Sequence, residues 1–143
     1  MRDVNKPLRK AYLTALASIN VGGVIPVYYA SLPPSIDPDN YIIFYPVNNV
    51  SNGTMQTQDT DATIRVEIHT FGYQQNAGND ADDIAAIIFQ RLLPNTTSTL
   101  NLGAGLQCLS TELTDDRTEP FDMQDGRKYA RRILTFRHKI FHQ

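Results

Sequence analysis

The stretch "IRVEIHTFGYQQNAGNDADDIAAIIFQRLL", Ile64 to Leu93, decides the fold. Its opening residues alternate. Ile64, Val66 and Ile68 fall on one side and Arg65, Glu67 and His69 on the other, which is the period of a strand in a half-buried sheet. A polar run follows, and then Ile84, Ala85, Ile87, Ile88 and Leu92 recur at helical spacing until Pro94. Asn79 or Asp80 is placed to cap that helix, with Asp82 and Asp83 in its first turn favouring the helix dipole. A strand of about 62–71, ended by Gly72, therefore runs through a loop into a helix. A strand face carrying Arg, Glu and His has three readings: an active site, a metal site, or a sheet face that meets another chain.

Toward the N-terminus, Leu8, Tyr12, Leu16 and Ile19 share a helical stripe over about 6–19. Asn5 is its expected cap, Pro7 sits in its first turn, and Gly22-Gly23 stops it. "VIPVYYA" (24–30) contains Pro26 and suits an edge strand. "SLPPSIDPDN" (31–40) is a loop. "YIIFYPV" (41–47) is a strand whose pairing is expected to end near Pro46. "NNVSNGTMQTQDTDA" (48–62), with a Ser-Asn-Gly turn at its centre, is either a long loop or a β-hairpin arm. Past the second helix, 95–105 is a connection, "LQCLSTELT" (106–114) a strand and "DDRTEPFDMQDG" (115–126) a polar loop. "KYARRILTFRHKIF" (128–141) is a long final strand. Its Leu134, Phe136 and Ile140 share one face, and Ile133, Thr135, Arg137 and Lys139 the other.

The order α-β-β-β-α-β-β, with strands between two separated helices, argues for an α+β sandwich: a mostly antiparallel sheet with both helices packed on one face. With 143 residues and no linker, repeat or low-complexity segment, residues 1–143 read as one domain. Apolar residues at 41%, charged residues at 20% and a net charge of -2 exclude a disordered chain and give no general argument for nucleic-acid binding. The single cysteine, Cys108, rules out an internal disulfide. The N-terminus lacks the uninterrupted apolar run of a signal peptide, and no run approaches the roughly 20 residues of a membrane span. Without a secretion signal, the glycosylation patterns at Asn52 and Asn95 are chance matches.

No enzyme signature emerges. No Gly-x-Ser-x-Gly elbow surrounds a serine, and "GGVIP" and "GAG" lack the strand–turn–helix context of a phosphate loop. Cys108 reads as a buried structural residue. His138 and His142 point the same way along a strand but lie over ~10 Å apart at roughly 3.3 Å per residue, too far to share an ion. No cofactor or metal is expected, since a zinc site needs three or four converging ligands. Asp80, Asp82 and Asp83 are explained as helix-start acids.

Charge layout says more. Glu112, Asp115, Asp116, Glu119, Asp122 and Asp125 fall in one segment whose only base is Arg117. Arg127, Lys128, Arg131, Arg132, Arg137 and Lys139 follow with no acid among them. Either the two limbs neutralise each other within one hairpin, or the acids of one copy meet the bases of the next. On the second reading Asp115, Asp116 and Asp122 face Arg131, Arg132 and Arg137 across a subunit contact.

"LRKAYLTALASI", "DNYIIFYPV", "ATIRVEIHTFGYQQ" followed by "ADDIAAIIFQRLL", and "YARRILTFRHKIF" together resemble, over nearly the whole chain, the phage tail terminator or tail completion (neck) protein family. The resemblance implies a structural, non-enzymatic virion protein. Family members form rings, commonly six-fold, at the head-proximal end of the tail or in the neck. Their partners are the tail tube and head–tail connector proteins, DNA passes through the lumen without sequence-specific binding, and assembly takes place in the host cytoplasm. Arg65, Glu67 and His69 then become a polar sheet face turned to a neighbour or to the lumen, with a purely solvated face as the alternative. Three rival classes stand beside this one. They are another connector, tail-hub or baseplate ring of the same particle, a nucleic-acid-binding module using the basic strand, and a small enzyme without a known motif. Salt-dependent DNA affinity would mark the nucleic-acid module.

Overall fold

The computed structural model describes residues 3–31, 40–51, 58–73, 75–93, 100–122 and 126–143, and for Phe121 and Asp122 the backbone. Its elements are α1 (Asn5–Leu16), β1 (Val27–Tyr29), β2 (Tyr41–Ser51), β3 (Asp59–Gly72), α2 (Asn76–Leu92), β4 (Leu106–Asp122) and β5 (Lys128–His142). This is the expected α-β-β-β-α-β-β order and an α+β fold. One five-stranded sheet runs β1-β2-β3-β5-β4. Only β1 pairs in parallel, along Ile42–Phe44 of β2, and every other pairing is antiparallel.

Alternation along β3 carries the architecture. Ala62, Ile64, Val66 and Ile68 are buried toward the helices, with Ile42 and Phe44 from β2 and Leu134, Phe136 and Ile140 from β5 beside them. Ala81, Ile84, Ala85, Ile88 and Leu92 of α2 and Leu8, Tyr12 and Leu16 of α1 close the core from above. Burying a side chain of this kind contributes about 1.5–3 kcal/mol, so this one layer of apolar contact outweighs any surface pair in the chain.

Several boundaries differ from the sequence reading, each for a physical reason. α1 stops at Leu16, and the chain leaves through Ser18 at φ 61°, while Arg91 of α2 donates to the carbonyls of Ala15 and Ala17. Gly22 and Gly23, at φ 70° and 136°, instead form the tight turn that bridges Asn20 to Val24. Asn5 lies inside the helix and is not its cap. The N-cap position is Val4, which offers no side-chain cap, and the Asn5 N–H donates instead to Asp3 Oδ1 at 3.1 Å. α2 begins at Asn76, a turn earlier than expected, without a side-chain cap. Asn79 and Asp80 are therefore helical residues, and no acid stands in the first turn.

β2 does not lose its pairing at Pro46. β1 covers only Ile42–Phe44, so Pro46 lies on an outer edge where no described strand needs the N–H that proline lacks, and a bulge between Pro46 and Asn48 lets pairing run on to Ser51. Residues 48–51 and 60–63 are thus the limbs of a hairpin. The largest correction is β4. Residues 115–122 continue the strand and are not a loop. Bulges between Cys108 and Ser110 and between Leu113 and Asp115 each shift the alternation by one residue, which hides a strand of 17 residues from a period-two reading. Residues 32–39, most of the proline-rich loop, lie outside the described residues, as do 52–57, 94–99 and 123–125 and with them both glycosylation patterns.

A candidate subunit-contact face on the sheet

The face of the sheet away from the helices carries the odd-numbered residues of β3 and their cross-strand neighbours. Tyr45 lies opposite Arg65 and Tyr41 opposite His69 on β2. On β5, Thr135 lies opposite Arg65 and Arg131 opposite His69, and Glu119 of β4 lies opposite Arg131. Glu67 is the hub. It accepts from the Tyr45 hydroxyl and lies 3.1 Å from His69 Nε2 and 3.8 Å from Arg131 Nη1. Arg131 in turn holds Glu119 through Nε at 3.0 Å and through Nη2.

His69 is buried, and that burial, only partly opposed by Glu67, pulls its pKa below the ordinary value of 6.5. The ring is therefore neutral at pH 7, and its tautomer follows. A carboxylate only accepts, so Nε2–H donates to Glu67, and Nδ1 accepts from the hydroxyl of Tyr129. Burial pushes the Tyr129 hydroxyl up to about 12, so it stays a donor. Rings reinforce the network. Tyr41 stacks on His69 at 4.6 Å, His69 on Tyr129 at 5.6 Å, and Tyr129 on Phe71 at 4.9 Å. Arg65 Nε and Thr135 Oγ1, side by side on this face, are buried without a hydrogen-bond partner.

The β4–β5 register decides where the opposed charges go. Glu119 meets Arg131, Asp116 meets Arg132 and Glu112 meets Arg137, all within one chain. Arg132 is set apart from the other two. It lies on the helix side, gripping Asp116 with Nε at 3.0 Å and Nη2 at 2.7 Å, and reaching Asp82 of α2 with Nη1 at 2.9 Å. Asp116 shares that side, while Asp115 lies on the open face 3.1 Å from Arg117 Nε. Lys139 faces Asp59 at 4.0 Å. Asp122 pairs through its backbone with Lys128, and its side chain lies outside the described residues. The basic strand thus divides its cations between two faces, and Arg131, Arg132, Arg137 and Lys139 each have a carboxylate neighbour. This is not the one-sided cationic stripe of a nucleic-acid surface.

Sequence reasoning identified the row Arg65, Glu67, His69 and missed Tyr45, Tyr129 and Glu119, which complete it. Tyr129 alternates in phase with Arg131, so a signal existed. The pairing of Glu119 depends on the bulges. His138 has no part in this face. It is buried on the helix side, between the Tyr12 hydroxyl on Nε2 and Thr111 Oγ1, 2.9 Å from Nδ1. His142 meets Thr60. Cys108 is half-buried on the edge strand, its Sγ 3.9 Å from His138 Nδ1, and so less enclosed than expected. No group of three or more His, Cys, Asp or Glu among the described residues converges as a metal site would require. No described helix is long and apolar enough to cross a membrane.

No family model and no curated protein matches the chain. Among solved structures, the fold is similar to that of a chain in a structure described as the virion of a native gene transfer agent particle. The TM-score is 0.60 and the identity 15%, over 80% of this chain and 78% of that one. At that identity the likeness establishes a shared fold.

Proposed function

We propose that this chain is a structural, non-enzymatic component of a tailed-phage-like virion. It forms a six-fold ring at the head-proximal end of the tail or in the neck, as a tail terminator or tail completion protein. The observation that carries this reading is the fold it shares, over most of its length, with a chain of a gene transfer agent virion. The charge layout supports it. A ring protein needs two different surfaces that meet head to tail, and the helices of this chain carry a basic group, Lys6, Arg9 and Lys10, and an acidic one, Asp80, Asp82 and Asp83. The tail tube and the head–tail connector are its partners, with DNA passing through the lumen by geometry alone. Native mass spectrometry and electron microscopy of the purified chain, alone and with tail tubes, should show closed rings. A monomer that also fails to join tail tubes or neck complexes would sink the proposal.

A further inference from the structure

The helix layer is electrically divided. Between Val4 and Ser31 the chain has Lys6, Arg9 and Lys10 and no acid, while between Asn76 and Gln90 it has Asp80, Asp82 and Asp83 and no base. The fold places these clusters at opposite ends of the molecule. Asn49 donates to Asn5 at 2.8 Å, which fixes the start of α1 beside the far end of β2, and Asn40 donates to Asp80 at 3.3 Å, which fixes the start of α2 beside its near end. Asn40 and Asn49 are nine steps apart along β2, roughly 30 Å. That is about three screening lengths at 0.1 M salt, so Lys6 and Asp80, which stand beside them, do not neutralise each other within one chain.

Lys6, Lys10, Asp82 and Asp83 are all exposed. Lys6, Lys10 and Asp83 make no ion pair with any described residue, while Asp82 holds Arg132. Beside the cationic end, two shallow clefts of about 490 and 370 Å³ share Lys10 and Asn101, with Ala11, Ala15 and Leu100 on the wall of the larger. A cationic rim over small apolar residues accepts an acidic helix start better than it accepts a neutral surface.

We infer that the α1 end of one copy, through Lys6 and Lys10, receives the α2 start of the next, through Asp82 and Asp83, as the head-to-tail contact between neighbouring copies. The inference rests on the ring reading and names the surfaces that build the ring. They lie in the helix layer, where Lys6, Lys10 and Asp83 make no ion pair with a described residue, and not in the β4–β5 hairpin, where Arg131, Arg132, Arg137 and Lys139 each have a carboxylate neighbour in the chain.

The test uses two variants of the full chain, Lys6→Glu/Lys10→Glu and Asp82→Lys/Asp83→Lys. Thermal unfolding confirms that each is folded, and Arg132 keeps Asp116 in the second. Assembly is followed by native mass spectrometry and sedimentation at low salt, with tail tubes present. Each variant alone should need at least about tenfold more protein to assemble, since two reversed pairs turn attraction into repulsion. An equimolar mixture should assemble as the parent does, with the variants alternating around the ring. Parent rings together with variants that assemble normally, or a mixture without rescue, overturn the inference and leave the ring reading standing. If the parent forms no ring even with tail tubes, the ring reading falls and the inference with it. If the parent stops at pairs and shows the same charge rescue, the contact is two-fold, which overturns the head-to-tail arrangement.

Discussion

His138 shows how one side chain ties the two layers together. Its ring sits between Tyr12 of α1 and Thr111 of β4, with Tyr12 stacked on Phe44 at 5.5 Å. Burial lowers its pKa from 6.5 to about 4, so the folded chain keeps it neutral where the unfolded chain would protonate it. The sign follows. Stability is complete above about pH 6.5 and falls as pH drops toward 4, by up to about 1.4 kcal/mol per unit for one proton, because the unfolded state binds that proton first. His69, shifted the same way, adds to the slope. In urea titrations from pH 7 to 4, His138→Gln should start less stable than the parent and lose less as pH falls. Equal slopes would mean the ring is not held neutral. Ile88, fully buried where α2 meets β3, offers a second check. Ile88→Ala should cost about 2–5 kcal/mol, whereas a loss below about 0.5 kcal/mol, the range of surface changes, would put α2's buried face elsewhere.

Elements were legible in the sequence where period and burial agree, and illegible where a local irregularity breaks the period. β3 alternates without interruption, and its two faces follow directly from Ile64 to His69. α2 was visible as a stripe from Ile84 to Leu92, but its start was not, because Asn79 and the aspartates offered a cap that the backbone passes by, the helix starting at Asn76 with no side-chain cap. β4 was cut short at Thr114 because its bulges reset the alternation and its acids read as solvent. Hydrogen exchange tests the longer strand. Amides of 115–119 bonded to β5 should exchange slowly and those on the outer edge quickly, with the alternation breaking at Leu109 and Thr114. Uniformly fast exchange across 115–119 would restore the loop.

At the scale of the whole molecule, the charge division of the hairpin separates two architectures. The α+β order and the polar face were legible, but the register was not, and only the register shows Glu119, Asp116 and Glu112 meeting Arg131, Arg132 and Arg137 inside one chain. The opposite placement of Arg132 is readable from its phase with Leu134. Partly exposed pairs contribute about 0–1 kcal/mol each, so their loss is modest but measurable when combined. The decisive comparison is between rescue within a chain and rescue between chains. Arg131→Glu/Arg137→Glu should lower the midpoint of unfolding, and adding Glu119→Arg/Glu112→Arg to the same chain should recover it, because the swapped charges again lie opposite each other across β4 and β5. Supplying the Glu119→Arg/Glu112→Arg change on a separate copy should recover nothing. If the separate copy does rescue, in assembly assays at low salt, these arginines serve the neighbour rather than the hairpin. The ring contact would then move from the helix layer to the open face of the sheet.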